Sequence, residues 1–496
     1  MSAAEWARHL PPGAPEPDLL AAETLPRAWA RRWAEAPGAP VLREADGPWV
    51  TAAELDRRSQ AAAARYRSLG LRAGDRILMS AGAGTNLVAL HAGALRAGLV
   101  VVPTNTAYGQ AELAHIVSDA EPAAAVLDDP RRAAWVGSLP VVMVDDDLPA
   151  AEAGGLDTAA RHDPALLGYT SGTTGRPKGA VLTHGNLLAS AEALRIAWRW
   201  ASDDRLVLAL PLFHMHGLGV GVHGTLLAGG TMVLLPRFDV DAVLDAISDN
   251  GATLFFGVPT MYARLAASPR VGELAVLRLC VSGSAPLPPD VFDRIAAASG
   301  HRVLERYGMT ETVMLLSNPY DGERRPGSVG FPLPGVAIRL DGGESGEILV
   351  RGPNVFDGYW RNPEATRGAF RDGWFLTGDV GVRDADGYVR IVGRNKELII
   401  TGGFNVYPRE VEEALESHPD VTEAAVAGSP DPEWGEVVTA YVVLARSIAP
   451  AALLAHCAPL LAPFKRPRQI HVVDRIPRNA LGKIQRDALG PTSSDR

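Results

Sequence analysis

Only two cysteines, Cys280 and Cys457, stand in 496 residues, both in apolar contexts. A disulfide framework is thereby excluded, and the usage fits a reducing cytoplasm. Long hydrophobic runs are also missing. The most apolar stretch, Leu87 to Pro103, is broken by His91 and Arg96 and is too short to span a bilayer. The opening MSAAEWARHLPPGAPEP has no continuous apolar core of the kind a signal peptide needs. Positive charge is not in excess: 48 basic against 57 acidic residues give a net charge of −9. A general nucleic-acid binder is therefore not expected, and any anionic substrate must be met by local positive charge. No internal repeat appears, and no low-complexity stretch beyond the Ala/Pro/Gly-rich N-terminus. What remains is ordinary globular composition, 47% hydrophobic and 21% charged, over a length that suits two or three domains.

Short apolar runs alternate with helical patterns. Strands are expected at Arg76–Ser80, Val100–Val102 and Ala123–Leu127, with helices at Asn86–Ala97 and Gln110–Ser118 between them. The rhythm returns at Arg205–Leu210, Thr231–Leu235, Val240–Asp249, Thr253–Val258, Leu277–Ser282 and Arg302–Arg306. Such alternation predicts an α/β fold of parallel sheets with crossover helices. From about Gly335 to Asp379 the chain turns Gly-rich, with short strands at Ala337–Leu340 and Gly346–Arg351, and reads as a small β-subdomain. A boundary is expected near Gly393–Lys396, giving an N-terminal domain over 1–394 and a C-terminal α+β domain over 395–496. The latter should run strand Glu397–Ile400, helix from Pro408, strands Glu423–Val426 and Val437–Leu444, helix Ala451–Leu461 and strand Gln469–Val473.

The chemistry begins in YTSGTTGRPKGAVLTH, Tyr169 to His184. Hydroxyls, glycines that permit close backbone approach, and a lysine are what polyphosphate oxygens need. No Gly-Lys-Ser/Thr follows at P-loop spacing, so this is a different phosphate loop. The run resembles the phosphate-binding loop of the adenylate-forming superfamily, the acyl-CoA synthetases, luciferases and peptide adenylation domains. The resemblance implies ATP contacts from Thr170, Ser171, Gly172, Thr173, Thr174, Gly175 and Lys178.

Four further motifs follow in the superfamily's order. ERYGMTET, Glu305 to Thr312, implies Glu311 as the Mg²⁺ ligand, Thr310 near phosphate, and Tyr307 and Gly308, with Ala285, beside the adenine. WFLTGDV places Asp379 at the ribose, with Arg394 as a second contact and Lys396 as the hinge. PRNALGK ends on Lys483, the position of the family's catalytic lysine. GGFNVYPRE implies that Gly402 and Gly403 line a tunnel for the pantetheine arm of coenzyme A once the C-terminal domain rotates.

PLFHMHG, Pro211 to Gly217, is similar to the CoA-ligase pattern, with His214 at its conserved histidine and His216 toward the substrate. The Asp by which amino-acid adenylating domains hold an α-amino group is absent. FFGVPTMYARL carries Arg264 where malonyl-CoA synthetases bind a distal carboxylate; VSGSAPL adds Ser284, and the run from Tyr307 to Gly330 adds Met314. The resemblance thus implies an ATP-, Mg²⁺- and CoA-dependent ligase. It would make malonyl-CoA or methylmalonyl-CoA through an acyl-adenylate and release AMP and pyrophosphate. Its partners are a small carboxylic acid and CoA, with no nucleic acid or membrane. Another short, medium-chain or aromatic acid, with Arg264 facing solvent, is the alternative. A carrier-protein thiol in place of CoA and a non-catalytic nucleotide binder are the more distant readings.

Overall fold

The computed structural model describes residues 5–11, 13–148, 154–170, 177–402, 404–478 and 483–489. The chain divides into two compact units: residues 1–338 with 350–375, and residues 339–349 with 376–496.

The first unit is built on two large sheets. The seven-stranded sheet runs Gly358–Tyr359, Lys178–Thr183, Pro164–Thr170, Val100–Pro103, Arg76–Ser80, Ala124–Leu127, Val141–Met143. The nine-stranded sheet runs Phe331–Pro332, Leu316–Ser317, Leu304–Tyr307, Leu279–Ser282, Leu254–Gly257, Arg205–Leu208, Thr231–Leu234, Pro40–Glu44, Val50–Thr51. Its centre is parallel, as are the three pairings from Val100–Pro103 to Val141–Met143. These strands are buried on both faces, which is why Ile77-Leu78-Met79 and Val100-Val101-Val102 read as unbroken apolar runs.

Local signals set the helix ends. Thr183 accepts the Asn186 N–H while Asn186 returns a bond to the Thr183 N–H, a capping box that starts His184–Ala197. That helix is buried almost all round, as its apolar sequence requires. Asp239 caps Val240–Asn250, and Gly251 ends it in the left-handed conformation.

In the second unit a five-stranded sheet runs Phe404–Val406, Ile399–Thr401, Gly435–Leu444, Val421–Asp431, with Gln469–Val472 paired parallel to Gly435–Leu444. Helices Pro408–Glu416 and Pro450–Cys457 supply Val411, Leu415 and Leu453 to a core with Ile399, Val426, Val438 and Val442. Strands Trp374–Arg383 and Val389–Arg394 form an antiparallel pair.

Two expectations shift. The strand anticipated at Glu397–Ile400 begins at Ile399, because Asn395–Glu397 forms a 3₁₀ turn. The helix anticipated to Leu461 stops at Cys457: Ala458 keeps helical dihedrals, but Pro459 has no N–H with which to continue the hydrogen-bond ladder. Both cysteines are free and buried; burial pushes the Cys280 thiol up to about 12. Among the described residues no helix is long and apolar enough to cross a membrane.

Candidate active site

Ligand sites in open parallel sheets form beyond the carboxyl ends of the strands. The nine-stranded sheet delivers the expected residues there, strand by strand. His214 and His216 follow Arg205–Leu208, and Arg264 lies on the helix Pro259–Ala266 after Leu254–Gly257. Ser284 and Ala285 follow Leu279–Ser282, and Tyr307 and Gly308 close Leu304–Tyr307.

The expected phosphate motif starts from the other sheet. Strands Pro164–Thr170 and Lys178–Thr183 are antiparallel, with Thr170 opposite Lys178. Ser171, Gly172, Thr173, Thr174 and Gly175, in the connection between them, lie outside the described residues. The stem is fixed by the Tyr169 hydroxyl, which donates to Asp119 at 2.6 Å. Thr310 rests on this stem: a Cβ on Gly168 would come within 2.3 Å of the Thr310 methyl. Only glycine lets the two motifs, far apart in sequence, meet. Gly168→Ala is therefore expected to destabilise the protein by about 1–3 kcal/mol through overpacking. It should also raise the KM for ATP, which thermal melts and steady-state kinetics would measure.

Glu311 is buried and accepts the Tyr359 hydroxyl at 3.0 Å. The Lys178 ammonium lies 5.3 Å from the centre of the Tyr359 ring. The turn carrying Glu311 is held from behind by Asn354, whose amide donates to Thr312 O at 3.0 Å and Met314 O at 2.7 Å. Met314 is buried. Among the described residues no group of three or more His, Cys, Asp or Glu forms a metal cage. A lone carboxylate fits Mg²⁺ that takes its other ligands from phosphates and water.

Beside the nine-stranded sheet lies an arrangement that the motifs did not announce. Arg306 is buried, and its Nε and Nη2 have no hydrogen-bond partner. A Cβ on Gly283 would lie 2.5 Å from its guanidinium, so glycine at that position gives it room. Burial pulls its pKa down to about 9, with the Tyr262 hydroxyl acting in the opposite sense. His216 is fully buried with both ring nitrogens unpartnered, and burial, then Arg306, then His214 hold it neutral. The His216 backbone N–H donates to His214 Nδ1 at 3.2 Å. Ser284 sits in the left-handed region at φ 74°, and its buried hydroxyl has no partner. Such strain is stored where surrounding structure enforces it, typically at functional sites. Arg264 has a different setting from these three: it is exposed, its guanidinium 4.9 Å from the centre of the Phe238 ring.

In the second unit Asp379 and Arg394 face each other across the strand pair and form an ion pair at 2.8 Å. Asp379 is buried, so the arginine orients a carboxylate that water hardly reaches. Lys396 is exposed in its 3₁₀ turn. Gly402 donates its N–H to Trp434 O at 2.9 Å; Gly403 lies outside the described residues. Lys483 directly precedes Ile484, which bridges to Arg478.

Sequence comparison matches residues 29–360 to the AMP-binding enzyme family and residues 410–483 to the AMP-binding enzyme C-terminal domain. The chain belongs to the AMP-binding enzyme family. This AMP-binding enzyme is 42% identical to a feruloyl-CoA synthase from Amycolatopsis over 483 residues, 92% of this chain and 96% of the relative. Its fold matches ATP-bound MatB from Rhodopseudomonas palustris with a TM-score of 0.89 and 42% identity, covering 94% and 98% of the two chains. A malonyl-CoA ligase in a ternary product complex with methylmalonyl-CoA and AMP matches at TM-score 0.67 and 45% identity, covering 89% and 97%. The enzyme is thus an acid–thiol ligase of the adenylate-forming type.

Arg306, Tyr359 and Asn354 were not singled out from the sequence. For Arg306 a signal existed: Glu305 and Arg306 are adjacent charges in a central strand of the sheet, and both are buried.

Proposed function

We propose that this enzyme joins malonate, or a 2-substituted malonate such as methylmalonate, to coenzyme A at the expense of ATP. The observation that carries the reading is the buried guanidinium of Arg306, with Nε and Nη2 unpartnered, close enough to His216 to help hold it neutral, together with the unpartnered hydroxyl of Ser284. A buried cation without a counter-ion is costly, and a carboxylate offers the planar pair of acceptors that a guanidinium fork fits. A monoacid consumes its one carboxylate in adenylation and leaves Arg306 unpaired. A dicarboxylate presents the second. An uncharged aryl acid, such as the feruloyl group named for the Amycolatopsis relative, would place an apolar ring against that cation.

The half-reactions follow from the remaining residues. Arg306, with His216 and Ser284, holds the far carboxylate and leaves the near one to attack the α-phosphate. Thr170, Lys178 and Thr310, with 171–175, cradle the phosphates. Glu311 would supply one carboxylate to Mg²⁺, which shields the phosphate charge when bound. Tyr307, Gly308 and Ala285 border the adenine, and Asp379 and Arg394 hold the ribose. Lys483 offsets charge that grows as the carboxylate attacks. Attack by the CoA thiol on the adenylate then releases AMP, with His214 beside the acyl carbon and Gly402 and Gly403 along the pantetheine arm. Reorientation of the C-terminal part at Lys396 separates the two steps.

Arg264, exposed on its helix, is the second cation of this reading. A stacked, exposed arginine can swing toward an incoming dianion at little cost. Arg264→Ala should lower kcat/KM for malonate, but by less than loss of Arg306. Incubation with malonate, CoA and Mg·ATP should yield malonyl-CoA, AMP and pyrophosphate. ADP as the product, or thioester formed from ferulate but not from malonate, would overturn the proposal.

A further inference from the structure

Lys483 does not lie on a helix or strand, yet its proposed task requires placement to a fraction of an ångström. What holds the segment that carries it is visible in the second unit. Gln485 donates its N–H to Pro477 O at 2.9 Å, and Ile484, the residue after Lys483, forms an antiparallel bridge with Arg478. Ile484 packs beside Ala425, Tyr441 and Val473. Each limb is tied by an arginine. Arg478 reaches Glu423 at 3.5 Å, a pair that is partly exposed.

Arg486 is held more closely. Its Nε donates to Val426 O at 3.1 Å, its Nη2 to Glu412 at 2.6 Å, and its Nη1 lies 3.2 Å from Glu397. Glu412 is only 1% exposed and also accepts the Val426 N–H at 3.0 Å. Arg409 stands 3.8 Å away on the same helix. One guanidinium thus joins strand Val421–Asp431, helix Pro408–Glu416 and the turn Asn395–Glu397, which also contains Lys396.

We propose that Arg486 and Glu412 are positioning residues that fix Lys483 for adenylate formation and couple its segment to the turn at Lys396. A buried ion pair of this kind adds little net stability compared with apolar packing, so stability alone does not account for it. The pair instead removes freedom from a loop lysine that must meet a short-lived charge. This inference rests on the reading of Lys483 as the residue that serves adenylation.

The test measures the half-reactions apart. One assay follows malonate-dependent pyrophosphate release without CoA; the other follows thioester formation from CoA and a supplied acyl-adenylate. Arg486→Gln should slow the first by about 10- to 100-fold, the loss that a displacement of about 1 Å brings. The KM values for ATP and malonate should stay near wild type, and the second step should be spared. Arg486→Lys, which keeps charge without the fork, should restore part of the rate, and Glu412→Gln should fall between. Lys483→Ala is the reference. If it fails to separate the two steps, the reading of Lys483 is wrong. If it separates them but Arg486→Gln slows both steps alike, or neither, the positioning inference is wrong. Should Arg486→Gln not fold, as judged by thermal melting, Arg478→Gln decides. It removes the partly exposed tie and should give a smaller loss confined to adenylation; equal loss in both steps, or none, contradicts the inference.

Discussion

Arg306→Ala should cost the enzyme most of its activity on malonate while leaving the protein folded. Removing one partner of a buried, hydrogen-bonded charge pair costs about 2–5 kcal/mol, a ~30- to several-thousand-fold loss in kcat/KM. Turnover of a short monocarboxylate such as butyrate should fall little, or rise, because its apolar tail gains a pocket without a bare cation. Arg306→Lys should recover only part of the malonate rate, since an ammonium cannot present two parallel donors to one carboxylate. Stability gives an independent readout. In the free enzyme the guanidinium has two nitrogens without partners, so its loss should not lower the melting temperature. Malonate should raise the melting temperature of wild type, by linkage, but not that of the variant. Malonate turnover close to wild type in Arg306→Ala would remove the acid site from this position.

Lys483→Ala is expected to have an effect of similar size, on one step only. Charge accumulates around the α-phosphate as the carboxylate attacks, and loss of one preorganised partner for such charge typically costs about 10²–10³ in rate. Pyrophosphate release should fall accordingly. Thioester formation from supplied acyl-adenylate and CoA should persist, because that step carries no attack on phosphorus. Quenched-flow measurement of both steps would show the split; equal loss would mean that Lys483 serves the fold or both reactions alike.

The parts of the molecule that were legible in the sequence share a physical origin. Arg76–Ser80 was readable to its ends because a strand buried on both faces must be apolar between turn residues, and Asp75 and Ala81-Gly82 bracket it. The helix from Pro408 was legible from its proline and its apolar stripe. Tyr359 and Asn354 were not, because each acts across the fold on a motif 40 or more residues away, Tyr359 on Glu311 and Asn354 on Thr312. Neither residue type advertises such a role. Arg306 was hidden inside a motif whose neighbours drew the attention, whereas Arg264 stood out on an apolar helix and proved exposed. One compositional signal coincides with the motifs. Among 48 basic residues only four are lysines, Lys178, Lys396, Lys465 and Lys483. Where the sequence uses arginine almost everywhere, a retained lysine marks a place where a compact point charge suits better than a planar fork. Three of the four fall in the motifs.

The central claim is that a buried arginine makes this ligase a dicarboxylate enzyme. The most direct measurement is the ratio of kcat/KM for malonate to that for ferulate, in wild type and in Arg306→Gln, under the same Mg·ATP and CoA. The account predicts a ratio well above unity in wild type that collapses toward or below unity in the variant, through loss of the malonate term. A wild-type ratio below unity, or a ratio unchanged by the substitution, would contradict it.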